Sequence, residues 1–423
     1  MTDERLAERA LEHLRRLCVD IAARPTGSPG NQAATAYLAD VFSGLGLDVV
    51  TPRFDCLDWV DGEVRLEAGG ERFAAAAGPN SRGCRVTAPL AVASTVEELE
   101  AGGLAGRVLL LRGAVAREQL MPKGFTYYNP DRHRRIVRAL EGAHALEAAP
   151  PAAVVAATGR DPGLAGGLSP FPLLEDGDVD VPSVYLNEAE GERLARLVGE
   201  TVHLTSDARR VLSWGCNVVA TRGAGRPRRV IVCAHVDAKL GTPGALDDAA
   251  GVVTLLLLAE LLGHDEPGDE GDLAVEFLAM NGEDHYANPG ERAYFADHDG
   301  RFGDVVLAIN LDGVGYREGN DAYSTYGCEG DLATEIDRAL RAEPGLVPGP
   351  PWFQGDHAIF SMHGVSALAV TSDRIAELMA SVIHTPADTV ELVDPRKLVR
   401  LATALRGLIG RLGVAGEARP GPC

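Results

Sequence analysis

A chain of 423 residues is longer than one hydrophobic core usually organises, so two domains of unequal size are expected. Its formal charge of -21, from 40 basic and 61 acidic residues, would be repelled over long range by nucleic acid and by anionic membrane, which argues against both as partners. The 46% hydrophobic and 24% charged composition is that of a soluble globular protein, and the 49 glycines and 25 prolines follow no repeat period.

The opening segment MTDERLAERALEHLRRLCVDIAA repeats apolar residues at helical spacing from Leu6 to about Ala23, without the basic-then-apolar order of a secretion signal. The break from Pro25 to Gly30 leads into a second helix, NQAATAYLADVFSGLG, which stops at Gly46, and LDVVTPRFD then reads as a strand. From about Asp61 to Asp207, short β runs such as RVLLLRG, AAVVAATG and VPSVYLN alternate with Gly and Pro turns around one basic helix, DRHRRIVRALEGA. This texture marks an inserted β-rich domain over residues 61–209, flanked by an N-terminal portion at 1–60 and a main portion at 210–423. The later pattern is strand, loop, helix: RRVIVCAHVD, DAAGVVTLLLLAELL, LAVEFLAMN, VVLAINLD and SALAVTSD. Continuously apolar strands are covered on both faces, so an α/β fold is expected, a three-layer sandwich around a mostly parallel sheet. The longest apolar stretch, GVVTLLLLAELL, falls short of the roughly 20 residues of a membrane span, and a cytoplasmic location is expected. Seven cysteines without CxxC spacing read as reduced thiols, with neither a disulfide framework nor a zinc finger.

Five segments place chelating side chains just past apolar runs: CAHVDA from Cys233, GALDDAAG from Gly244, MNGEDHY from Met280, INLDGVG from Ile309 and VIHTPADT from Val382. In parallel sheets ligands collect beyond the carboxyl ends of the strands. His235 ends a strand, and Asp237 two residues on is placed to take its second ring N–H and fix the tautomer. One Asp before a helix is an ordinary cap, but two adjacent carboxylates, Asp247 and Asp248, cost several kcal/mol to desolvate without a cation. A dication held by Asp247 answers that cost and leaves Asp248 for capping or orientation. Of the pair Glu283 and Asp284, one carboxylate can ligate metal while the other accepts a proton from water. Asp312 emerges from a fully apolar strand, and His384 completes the set.

This pattern resembles the co-catalytic zinc exopeptidases of the aminopeptidase Y and glutamate carboxypeptidase II family. The likeness extends to RPTGSPGNQAATAYLADVFSGLGLDV as the helical lead-in, to residues of about 61–209 as an inserted protease-associated domain, and to GDHAIFSMHG from Gly355 as a late helix. The resemblance implies two zinc ions per chain, one on His235 and Asp312, the other on Asp284 and His384, with Asp247 bridging. It also implies Glu283 as general base, Asp237 as the residue orienting His235, and a cis peptide between Asp247 and Asp248. Asp284 departs from the commoner Glu, shortening that arm by one methylene. Two zincs roughly 3.5 to 4 Å apart would acidify a shared water and polarise the scissile carbonyl.

The expected activity is that of an aminopeptidase on small peptides, with the inserted domain walling the cleft. A carboxypeptidase or dipeptidase on the same metal core is the alternative; it would need a cation for the free carboxylate, for which Arg132, Arg134, Arg135, Arg292 and Arg374 are candidates. His285 and His357 are expected to support loops or contact substrate. Relatives that cyclise N-terminal glutamine bind a single zinc and differ at the bridging position, which the Asp247–Asp248 pair speaks against. A metal-free adaptor of this fold is disfavoured because every candidate ligand position carries a chelating side chain.

Overall fold

The computed structural model describes residues 2–21, 23–123, 129–143, 149–160, 167–175, 177, 179–264, 271–285 and 288–417. Two compact units divide the chain: Met1–Cys56 with Trp214–Cys423, and Leu57–Ser213. Among the described residues no helix is long and apolar enough to cross a membrane. Cys18, Cys56, Cys84, Cys216, Cys233 and Cys328 are free thiols, while Cys423 lies outside the described residues.

The first unit is built on an eight-stranded sheet. Its strand order is Asp48–Val50, Val218–Arg222, Leu273–Met280, Arg228–His235, Val305–Leu311, Ala367–Ser372, Asp321–Tyr326, Leu346–Pro348. The four central strands, Leu273–Met280 to Ala367–Ser372, run parallel, and the antiparallel strands Val218–Arg222 and Asp321–Tyr326 flank them. Leu273–Met280 is buried at every position, as continuous apolarity requires. Tyr294, Phe295 and Phe360, from the helices Pro289–His298 and His357–Met362, join Ile231, Cys233, Leu278 and Met280 in one core cluster. The helix Ala250–Gly263 packs on the central strands and against the helices Asp3–Arg15 and Pro395–Glu417. Glu276, buried in mid-strand, is neutralised by Arg229 at 2.8 Å and accepts a hydrogen bond from the Tyr294 hydroxyl.

Strand register decides where the chemistry emerges. His235 is level with Met280, and Cys233 with Asn310, so the residues that follow three parallel strands leave the sheet at one rim. The expected strand LDVVTPRFD is two strands, Asp48–Val50 and Arg53–Val60, because Pro52 between them lacks an N–H. Arg53–Val60 pairs with Arg209–Cys216 in a separate two-stranded sheet.

The second unit also carries an eight-stranded sheet. Cys84–Ala93, Val108–Leu111, Ala153–Thr158 and Ser183–Asn187 are parallel at its centre. Alternate residues serve opposite faces: Leu109, Leu111, Val154 and Ala156 join one core cluster, Val108, Leu110, Ala153 and Val155 another. Besides the basic helix, here Asp131–Leu140, the unit has helices at Val96–Glu100 and Glu188–Ala195 that the sequence reading left out.

Candidate metal centre

His235, Asp247 and Asp312 each offer a ligand atom within 4.8 Å of the other two, and so do Asp247, Asp284 and His384. The two triads share Asp247: its Oδ1 lies 2.9 Å from His235 Nε2 and its Oδ2 3.0 Å from His384 Nε2. Asp284 Oδ1 is 3.1 Å from the same His384 nitrogen. His235 is the last residue of its strand, Asp312 directly follows Val305–Leu311, and Glu283 and Asp284 lie shortly beyond Leu273–Met280. The remaining pair of candidate ligands does not follow a strand. Asp247 sits in the turn leading into Ala250–Gly263, and His384 lies in the loop after the helix Ile375–Ser381, held at φ +64°, a left-handed conformation unfavourable for a non-glycine residue.

The ring of His235 shows why a cation suits this arrangement. Its Nδ1 is 3.2 Å from the main-chain oxygen of Asp237, which can only accept, so Nδ1 carries the hydrogen. Nε2 then turns a lone pair toward the Asp247 carboxylate, and two acceptors face each other unless a proton or metal intervenes. His235 Nε2 and Asp284 Oδ2 are both buried without a hydrogen-bond partner, as metal ligands would be. Burial alone would lower the His235 pKa, but the surrounding carboxylates of Asp237, Asp247 and Glu283 outweigh it and hold the ring well above its ordinary value. Asp312 is pushed up to about 7 by burial and by the neighbouring Asp247, Asp284 and Asp356, against the pull of His235. A set of imidazole nitrogens and mutually repelling carboxylates fits a borderline divalent ion such as zinc.

Residues 217–409 match the model of Peptidase family M28. This part of the chain is a metallo-exopeptidase. Aminopeptidase YwaD of Bacillus subtilis is 23% identical over 405 residues, covering 93% of this chain and 82% of the relative. Two solved structures share the fold. An aminopeptidase from Aneurinibacillus sp. strain AM-1 superposes with a TM-score of 0.70 at 23% identity over 99% of this chain and 97% of that one. BSAP, a zinc aminopeptidase from Bacillus subtilis, gives 0.69 at 19% identity over 96% and 94%.

Around the candidate ligands, the supporting residues were mostly invisible in the sequence. Arg24 is fully buried; its guanidinium donates to the carbonyls of Leu17 at 2.7 Å, Pro243 and Gly244 at 2.9 Å and Val236 at 3.1 Å. Three of those carbonyls belong to the loop joining His235 to Asp247. Asp388 accepts the N–H groups of Leu246 at 2.8 Å and Asp247 at 3.1 Å, fixing the backbone of the shared ligand. Asp248 accepts from the N–H of Gly251 and of His235, combining capping with orientation, and the Asp247–Asp248 peptide is cis.

Asp237 acts differently from the sequence expectation. Its carboxylate is 3.7 Å from His235 Nδ1, farther than its own carbonyl, and accepts instead from Gly282 N–H at 2.7 Å, Asp284 N–H at 3.1 Å and the Thr26 hydroxyl at 3.0 Å. The turn that carries Glu283 and Asp284 is therefore built on Asp237. Glu283 itself is half-buried, its pKa raised by burial and by the like charges of Asp284, Asp312 and Asp356, with His235 opposing.

His357 supports a loop. Its Nε2 donates to the Trp352 carbonyl at 2.9 Å, its Nδ1 faces Asn310 Nδ2 at 3.3 Å, and burial lowers its pKa to about 4. His285 is buried beside Asp237, where its charge bears on that carboxyl. Glu291 and Asp356, which the sequence reading did not single out, are buried carboxyl groups; burial pushes Glu291 up to about 7, and burial together with the charge of Glu291 raises Asp356 well above its ordinary value. The candidate arginines are largely committed elsewhere: Arg132 to Glu118, Arg134 to Asp131, Arg135 to Glu97 and Glu100, and Arg374 to Glu318 and Glu377, while Arg292 is exposed.

Proposed function

We propose that this chain is a zinc aminopeptidase that removes the N-terminal residue of small peptides. The observation that carries the reading is the pair of ligand triads sharing Asp247. The family match and the aminopeptidases among its relatives support it, and BSAP is described as a zinc enzyme. His235 and Asp312 would hold one zinc, Asp284 and His384 the other, and Asp247 both. Bound zinc supplies Lewis acidity, which acidifies water and polarises a carbonyl.

The chain's own residues perform the rest. Glu283, whose raised pKa makes it a stronger base than an exposed carboxylate, takes the proton of the attacking water and delivers it to the leaving amine. Asp237 holds that base in place through the N–H groups of Gly282 and Asp284. The unit Leu57–Ser213 serves as a protease-associated domain in this reading, and the protein acts in the cytoplasm.

Glu283→Gln keeps the size and the fold while removing the proton acceptor. Turnover should fall by about 100- to 10,000-fold with zinc content unchanged. Peptide hydrolysis by this variant at the wild-type rate would overturn the assignment. N-acetylation should protect substrates, and N-acetylated peptides cleaved as fast as free ones would exclude an aminopeptidase.

A further inference from the structure

We propose that Thr26 is a positioning residue for the general base: its hydroxyl, directed by the amide pair of Asn31 and Asn281, braces the Asp237 carboxylate on which the Glu283 turn is built. The inference rests on the reading of Glu283 as the proton acceptor and goes beyond it to the lead-in segment RPTGSPGN, from Arg24 to Asn31. Asp237 Oδ1 accepts from Gly282 N–H at 2.7 Å, while Oδ2 accepts from Asp284 N–H at 3.1 Å and from the Thr26 hydroxyl at 3.0 Å. The two amides belong to the turn itself. Thr26 comes from another part of the chain, so its bond ties the carboxylate to a separate element.

A threonine hydroxyl has one hydrogen, and two oxygens lie within reach of this one: Asp237 Oδ2 at 3.0 Å and Asn281 Oδ1 at 3.3 Å. The second is already engaged. Asn31 Nδ2 donates to it at 2.9 Å, and Asn281 Nδ2 donates back to Asn31 Oδ1 at 2.9 Å. The same nitrogens also donate to the carbonyls of Arg24 at 3.2 Å and Cys216 at 3.0 Å, so both hydrogens of each amide are used and neither amide can flip without setting donor against donor. The Thr26 hydrogen is left to the ionised carboxylate, the stronger acceptor.

Local structure fixes the pair from both sides. Asn31 lies in the first turn of the helix Pro29–Gly44, and its N–H is capped by the Ser28 hydroxyl at 3.1 Å. Asn281, two residues before Glu283, donates its N–H to Asn217 Oδ1 at 3.0 Å. Thr26, Asn31, Asp237 and Asn281 are at most 2% exposed, so water does not compete for these bonds.

Thr26→Val removes the hydroxyl at nearly constant shape, and Thr26→Ser keeps it. With leucine p-nitroanilide and saturating zinc, kcat of the full chain should fall about 10- to 100-fold in Thr26→Val, with KM nearly unchanged, and Thr26→Ser should recover most of the rate. In the Glu283→Gln background the same substitution should cost less than about twofold, because a brace acts through the base it holds. An equal loss in both backgrounds, or a Thr26→Val enzyme with wild-type kcat, would overturn the proposal.

Hydrogen exchange in the metal-free chain reads the brace without turnover. In Thr26→Val the amides of Gly282 and Asp284 should exchange about 10-fold faster, while those of Leu273–Met280 keep their wild-type rates. Equal acceleration in strand and turn would reduce Thr26 to a contributor to general stability and sink the positioning role. Undiminished turnover in Glu283→Gln alone would instead remove the base assignment on which that role rests.

Discussion

Replacing Arg24 tests how the ligand loop is held. In Arg24→Met the carbonyls of Leu17, Val236, Pro243 and Gly244 lose a donor at a site closed to water. Each buried carbonyl left unsatisfied costs about 1 to 3 kcal/mol, but these also retain other bonds or relax, so the loss should resemble that for breaking one side of a buried ionic network, about 3 to 5 kcal/mol. At about 2 to 4 °C per kcal/mol, the melting temperature should drop by roughly 6 to 20 °C. Three of the carbonyls lie between His235 and Asp247, so zinc affinity should also fall, by about 10- to 100-fold. Arg24→Lys cannot span four acceptors with one ammonium and should fall between. Differential scanning fluorimetry and competition with a zinc-binding dye measure both effects. An Arg24→Met protein melting within about 2 °C of wild type, with unchanged zinc affinity, would refute the reasoning.

His13 gives a pH-dependent term in stability. Burial, aided by Arg9, lowers its pKa from 6.5 to about 4, and its Nδ1 is 2.5 Å from the Tyr37 hydroxyl. The unfolded chain binds the proton more readily than the folded one, so the contribution is complete above pH 6.5 and is lost as pH falls through 4, about 3 kcal/mol in all. His13→Leu should therefore lose less stability than wild type between pH 7 and pH 5 in urea titrations; equal losses would contradict this. At Gly355, with φ +112°, an added Cβ would lie 3.1 Å from Asp312 Oδ2 and 3.0 Å from Asn310 Nδ2. Gly355→Ala should displace Asp312 and lower zinc content, whereas Gly364→Ala, at φ +75° with nothing within 4 Å of its Cβ, should cost only about 1 kcal/mol of stability. Equal zinc content in the two variants would count against crowding at Asp312.

The sequence by itself determined the central strands and the candidate ligands, because both follow from local chemistry. A continuously apolar run such as Leu273–Met280 can satisfy itself only between two layers, and acidic or imidazole side chains at the end of such a run need a counter-charge. The antiparallel flanks were less legible: Asp321–Tyr326 and Val218–Arg222 mix polar and apolar residues, and only their neighbours in the sheet make them strands. What tertiary structure alone decided is how the candidate ligands are held. Arg24 and Asp388 lie more than 130 residues from several of the groups they position, and Asp237 turned out to build the Glu283 turn because its carboxylate meets the N–H groups of Gly282 and Asp284 across the strand ends. Backbone hydrogen bonds and strand register act between residues distant in sequence, and no local pattern encodes which of them will meet.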